Sequence, residues 1–479
     1  EQIAALMHER PFQKVEFPCT VSSVTLTQKT PESRDGIRCP LRSPDESHPA
    51  EEAARSRAHL EALCRFFGAP PPPPGASFYS QGLGEGLQVR WERHAEMETY
   101  TFIRAAGAEE QASPFAPGSL ALSAVPDAWL RAAPGSVISA LHLAVLPHKS
   151  GAGPTDSDEA QFREAKRHLN THAHVTAAAV HSGAFRLFSD WRVHGDGFAR
   201  AVLYATDRGN RMAAGKVIQR LVELDKYRVM ACMGLPLAQE LAPRADRLSR
   251  DLQGVMEAVG AEAGEGGTQA ARRRVMRDLC KIAADSLKLQ AASSFRFSAC
   301  AAYARIAEDR IWNLRLERID GAPSVETAML AALRPALRTC TSVAERIEAV
   351  TRKSQLTAEV MQAALTVEQQ AASAEQLGKI RETAQTQLRL QETVEGLSVV
   401  AMSYYALGVV GYAAKAAAVA GFLPAAVGGP EVVVGAAMPF VGLAVWRGIH
   451  ATKASALGGH GHAAPDSEPG EGRPPAERR

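Results

Sequence analysis

LSVVAMSYYALGVVGYAA, Leu397 to Ala414, is the stretch on which the architecture turns. It carries no Asp, Glu, Lys or Arg, and its length approaches the roughly 20 apolar residues that cross a hydrocarbon core. Tyr404, Tyr405 and Tyr412 bring hydroxyls that need a partner, while Gly408 and Gly411 let a neighbouring helix come close. The run therefore reads as a membrane span with one face against protein, its helix contacts being Tyr404, Tyr405, Gly408 and Gly411. Lys415 ends it. A second apolar run, Val432–Trp446, has Glu431 before it and Trp446, Arg447 and His450 at its end, residues that suit a membrane–water interface. Joined through residues 416–430, the two runs make a transmembrane helical hairpin.

The charges beside these runs give an orientation. Arg381 and Arg389 precede the first run, Arg447 and Lys453 follow the second, and Lys415 and Glu431 lie between. Positive flanks stay on the cytoplasmic-type side, so both ends of the hairpin and the soluble region are expected there, at a bacterial inner membrane or an organelle equivalent. The cysteines agree: Cys19, Cys39, Cys64, Cys232, Cys280, Cys300 and Cys340 are scattered without a Cys-x-x-Cys pair, as in a reducing compartment. Residues 1–18 are too polar for a signal peptide, and residues 451–479, rich in Gly, Pro, Ala and charge, lack the apolar content to fold.

Upstream of the first run no proline occurs between Pro335 and Pro424, and the composition, rich in Ala, Gln, Glu, Arg and Leu, predicts a long helical stalk over 336–396. Val343, Ile347, Val350, Leu356 and Val360, then Leu377, Ile380, Ala384 and Leu388, recur at three to five residues, as in a packed or coiled-coil seam with irregular heptads. Residues 207–335 read as all-α: a helix over Gly209–Met233, stopped by Gly234 and Pro236, then helices over Ala271–Leu289 and Phe295–Ile319. Residues 1–206 alternate strand and helix signals. Strands are expected at Val15–Leu26, at Leu87–Ile103 with a bend near its middle, and at Val137–Leu146. A hairpin is expected from Ala184–Val193 and Phe198–Ala205 about Gly195, Asp196 and Gly197, and a helix over Ala50–Phe67 before the extended run Pro70–Pro74. The expected fold is thus an α+β N-terminal soluble domain (1–206), an all-α region (207–335), a long stalk helix or coiled coil (336–396), a transmembrane hairpin (397–450) and a disordered tail (451–479).

Six runs carry a family resemblance: His8–Phe12 (HERPF), Trp91–Phe102 (WERHAEMETYTF), Gln219–Ala238 (QRLVELDKYRVMACMGLPLA), Phe295–Tyr303 (FRFSACAAY), Pro335–Cys340 (PALRTC) and Gln387–Tyr405 (QLRLQETVEGLSVVAMSYY). With them the chain resembles the membrane-anchored proteins grouped as domain of unknown function 3422. The most specific is the last, in which a stalk ending Gln-Glu-Thr-Val-Glu-Gly passes directly into the membrane run. The resemblance implies a membrane anchor with a soluble domain and brings no catalytic residue.

Lys and Arg total 54 against 52 Asp and Glu, a formal charge of +2. Nucleic acid is therefore not an expected partner, and charge arguments must be local. Glu92, His94, Glu96 and Glu98 alternate along the expected strand, so all four would share one face. Such a face could hold a divalent cation or pair with arginines such as Arg90 and Arg93. Asp190, His194 and Asp196 form a weaker cluster, and His8, Glu9 and Arg10 read as a turn. Gly82, Gly84 and Gly86 make a glycine loop without a following helix, so the nucleotide fingerprint fails. His460 and His462 are too isolated in the tail for a metal site. No cofactor, catalytic residue or small-molecule ligand is expected.

Three functions compete. The first is a membrane-tethered binding or scaffold module, not an enzyme, that forms homo-oligomers through its stalk and membrane helices. The second is a cation channel or transporter, since the layout looks like that of CorA-type magnesium channels. Gly411-Tyr412-Ala413 stands where the Gly-Met-Asn of those channels is expected. The third is a membrane-tethered enzyme using the acidic strand.

Overall fold

The structure is a computed structural model describing residues 12–27, 49–147, 154–169, 174–262, 269–421 and 428–457. Its strands are β1 Cys19–Thr27, β2 Phe78–Gly84, β3 Leu87–Arg93, β4 Met97–Ala105, β5 Ser136–Pro147, β6 Thr176–Val180, β7 Phe185–Val193, β8 Ala199–Ala205 and β9 Glu317–Arg318. They form one sheet in the order β2-β3-β4-β1-β5-β8-β7-β6-β9. Every pairing is antiparallel except β5 with β8, which run parallel in the middle of the sheet. The principal helices are α1 Pro49–Phe67, α2 Pro154–Leu169, α3 Arg211–Cys232, α4 Gly234–Glu262, α5 Gln269–Leu314, α6 Val325–Val419 and α7 Pro430–Leu457.

Helices cover both faces of the sheet, which explains why β5 reads SVISALHLAVLP, nearly apolar throughout its second half. Leu141, Leu143 and Val145 face α3, the end of α5 and the start of α6, joining Val217, Leu221, Ile311 and Met329 in the largest core. Ala144 and Leu146, one residue out of phase, face α2. Nearer the β2 edge, Val89, Trp91, Tyr100 and Phe102 pack under Leu60 and Leu63 of α1. The largest core thus runs across the boundary expected at residue 206, because the sheet's apolar face is covered by α3.

Two compact units are present, residues 1–361 and 362–479. In the first, Cys340, Val343 and Ile347 of α6 are buried with Leu237 and Leu241 of α4 and Leu289 and Phe297 of α5, while Val350 and Met361 close a further cluster with Leu252, Val275 and Leu279. The residues expected to open the stalk therefore belong to a helical core.

The structure corrects several boundaries. Leu87–Ile103 is not one bent strand but a hairpin, β3 and β4, with His94 N–H donating to Met97 O at 2.7 Å across the reversal. The helices expected at Ala271–Leu289 and Phe295–Ile319 are one helix, α5. The helix expected from 336 begins at Val325 and carries Pro335 in its interior, and it continues through the apolar run to Val419. Residues up to Leu457 belong to α7, and the rest of the tail, with His460 and His462, lies outside the described residues, as do His8, Glu9 and Arg10. In the second unit α6 and α7 each contain a stretch long and apolar enough to cross a membrane by length and composition. A Cβ added at Gly411 of α6 would lie 3.5 Å from Val434 Cγ2 of α7.

Candidate functional site

The reversal between β3 and β4 breaks the alternation on which a shared acidic face depended. Glu92 lies on β3, His94 and Glu96 in the turn, and Glu98 on β4. Glu92 and Glu96 meet helices α3 and α5, whereas Glu98 turns to the opposite face with Trp91 and Tyr100. Among the described residues no three His, Cys, Asp or Glu side chains are grouped to hold a metal ion.

Cations occupy the carboxylates instead. Glu92 accepts from Arg90 Nη2 at 2.6 Å and from Lys226 Nζ at 3.2 Å. The same Nζ lies 3.4 Å from His94 Nε2. Glu96 accepts from Arg296 Nη2 at 2.6 Å and from the Tyr303 hydroxyl at 2.6 Å. Tyr303 stacks on Tyr227 with ring centres 5.9 Å apart, and Tyr227 meets the edge of His94. Lys226 and Arg296 are 1% and 0% exposed, so these are interior ion pairs joining the sheet to α3 and α5. An interior charge requires such a partner, since an unpaired one costs several kcal/mol.

Pairing sets the ionisation of Glu92. Burial pushes the Glu92 carboxyl up, but Lys226 and Arg90 outweigh it and bring the pKa down to about 2. Burial raises the pKa of Glu98, and its hydrogen bonds from Ser56, Trp91 Nε1 and Tyr100, with the charge of Arg93, offset this only in part. The void beside Arg90 and Glu92 measures about 20 Å³, far below the roughly 300 Å³ of small-molecule sites. A groove of about 840 Å³ between α4 and α5 is lined by none of these residues.

The thiols of α5 and α6 lie nearby on the same helices. Gly234, at the joint of α3 and α4, faces Cys300 and Cys340, whose Sγ atoms would be 3.0 and 3.2 Å from an added Cβ. Burial pushes the Cys300 thiol up to about 11 and that of Cys340 to about 12, which makes them packing groups and not nucleophiles. Glycine is needed at 234 for this close approach. Gly234→Val is expected to cost about 1–3 kcal/mol by overpacking, measured by urea unfolding.

The other expected cluster is structural. Asp190 accepts from Arg192 N–H and lies 3.3 Å from His194 Nε2 within a bulge of β7, where Trp191 has φ 52°. Asp196 accepts from Phe198 N–H at 3.0 Å and from Arg200 at 2.7 Å, shaping the hairpin. Ser22 lies 2.9 Å from His142 Nδ1, and both are interior, at 0% and 1% exposure.

Sequence reasoning found the carboxylates and missed Lys226, Arg296 and Tyr303. A signal existed: Lys226 sits in LVELDKYRVM among core positions, and Arg296 stands between Phe295 and Phe297. A charge on an apolar helix face needs an interior partner. Four of the six runs quoted for the resemblance meet here, the strand hairpin, α3 with its joint, the middle of α5 and the start of α6.

No curated protein matches the sequence. The model of the family described as "Protein of unknown function (DUF3422)" matches residues 1–456, nearly the whole chain, and the protein belongs to that family.

Proposed function

We propose that this protein is a membrane-anchored scaffold whose two C-terminal helices enter a bilayer as a hairpin, and whose sheet and helical region is a rigid binding module on the cytoplasmic-type side. The observation that carries the reading is exposure. Leu397, Val400, Tyr404, Tyr405, Val409 and Tyr412 on α6 and Phe440 on α7 are each 67–79% exposed, so the described residues of the chain do not cover them. Apolar surface of that extent is not left in water, and a hydrocarbon phase accommodates it. Gly411 against Val434 supplies one close helix contact, and Gly408, with nothing within 4 Å, leaves a second open for another helix. Action by binding fits Glu92 and Glu96, whose carboxylates are paired with Lys226 and Arg296 and so fix the sheet hairpin to its helices.

The orientation comes from Arg381, Arg389, Arg447 and Lys453 on one side and Lys415 and Glu431 on the other. The test is membrane fractionation with an alkaline carbonate wash, followed by labelling of Thr383→Cys and Ala420→Cys in sealed vesicles, in a chain whose Cys39 and Cys280 are serine. The full chain is expected to stay with the membrane, and the two sites are expected to label from opposite sides. Extraction by carbonate would remove the anchor, and labelling of both from one side would remove the first crossing.

A further inference from the structure

Helix α6 carries two apolar seams. One, running through Cys340, Val343, Ile347, Val350 and Met361, is buried against α4 and α5. The other begins beside it and is left open, with Leu356, Val360, Val367, Leu377 and Leu388 each 59–66% exposed. From Leu356 to Leu388 a heptad frame takes in Leu356, Val360, Val367, Leu377 and Leu388, with Gln370 and Arg381 as its polar interruptions. Positions a are Val360, Val367, Ala374, Arg381 and Leu388, and positions d are Leu356, Ala363, Gln370, Leu377 and Ala384.

We propose that this seam binds the same seam of a second copy of the chain, the two helices parallel and in register. The period identifies the occupant. A repeat of 3.5 residues drifts about 20° per heptad on a straight helix, so only a partner helix that supercoils with it keeps the stripe covered. A bilayer is excluded along this stretch by Glu368, Glu375, Lys379 and Glu382. The seam is also self-complementary: β-branched Val360 and Val367 at a with Leu356 and Leu377 at d favour two strands. Of the flanking e and g positions from 357 to 387, Glu359 alone is charged, so two copies meet without like-charge repulsion there. Gln370 at d can hydrogen-bond to its own counterpart when the copies are in register, and the Arg381 stem can lie along the seam with its head in water. The parallel sense rests on the membrane-anchored reading, since one bilayer holds both copies the same way up.

Alanines allow a test that removes no apolar contact. In the full chain with Cys39 and Cys280 changed to serine, Ala363→Cys and Ala384→Cys place a thiol at d, whereas Ala372→Cys and Thr386→Cys place it on the outer f face. After mild oxidation in native membranes, about ten-fold more disulfide-linked dimer is expected at 363 and at 384 than at 372 and 386, because the Cβ atoms at d come within disulfide reach. Linkage at both d sites requires a parallel, in-register pair. Linkage at one d site alone would indicate an antiparallel pair and overturn the proposal, as would no linkage or equal linkage at all four. Fractionation of the same samples separates the two readings. A soluble chain that links at 363 and 384 loses the anchor and keeps the seam; a membrane-bound chain that links at neither keeps the anchor and loses the seam.

Discussion

Arg296→Met is expected to lower the unfolding free energy of the protein by about 3–5 kcal/mol, the range for removing one partner of a buried ion pair. Arg296 is fully buried, and its loss leaves the Glu96 carboxylate, 9% exposed, with the Tyr303 hydroxyl but without its cation. The double variant Arg296→Met/Glu96→Gln removes the stranded charge and is expected to recover most of the loss, since it is the unpaired charge that is costly. Urea midpoints followed by tryptophan fluorescence measure both, with Trp91 inside the adjoining core as reporter. If the single and double variants were equally destabilised, the side chain's packing and not its charge would carry the effect.

Acid should reveal the second pair. The Glu92 carboxyl falls from an ordinary 4.5 to about 2, because Lys226 and Arg90 overcome the burial that opposes its ionisation. A depressed folded pKa contributes stability that is fully present above the unfolded value and is lost as pH falls from about 4.5 through about 2. At roughly 1.4 kcal/mol per pKa unit this amounts to about 3 kcal/mol. Removing the cation with Lys226→Met is therefore expected to move acid unfolding to higher pH. Glu98 has the opposite sign: its pKa is raised by burial, so its ionised form works against the fold as pH rises. Glu98→Gln is accordingly expected to be tolerated at neutral pH where Glu92→Gln is not.

The elements that sequence reading located are those whose pattern is local. Val137–Leu146 and the pair Ala184–Val193 and Phe198–Ala205 return as β5, β7 and β8 because β-branched and aromatic residues recur there between turn residues. β2 (FYSQGLG) and β6 (TAAAV) gave no such signal, since glycine and alanine are poor strand formers, and it is pairing with β3 and β7 that makes them strands. Pro335 suggested a helix start because proline removes a backbone donor. The structure keeps it inside α6, where Leu333, Ala336 and Cys340 on either side are buried and tertiary packing outweighs the local cost. At the site, Glu92, His94, Glu96 and Glu98 were visible as a spacing. Their partners were not, because Lys226 and Arg296 stand 134 and 200 residues away along the chain from Glu92 and Glu96.

Gly215 shows what a sequence conceals most completely. In RMAAGKVIQ it looks like a flaw in an otherwise good helix, and replacing a helical glycine by alanine ordinarily stabilises by about 0.5–1 kcal/mol. In α3 the segment around Gln13 lies directly over it: a Cβ at 215 would collide with the Gln13 carbonyl oxygen and stand 2.9 Å from its carbon. These are backbone atoms, anchored by Val15 N–H donating to Arg211 O at 3.0 Å and by the Val15 side chain, 2% exposed in the largest core. Gly215→Ala is therefore expected to lift this segment from α3. The loss would be the burial of Val15, about 1.5–3 kcal/mol, together with a hydrogen bond worth about 1 kcal/mol. Trypsin should then cut at Lys14 under conditions that leave the parent intact. Gly254 in α4 has nothing within 4 Å of its Cβ position, so Gly254→Ala should show the ordinary helical gain. A Gly215→Ala protein that gained stability like Gly254→Ala and kept Lys14 protected would mean that the segment does not rest on α3.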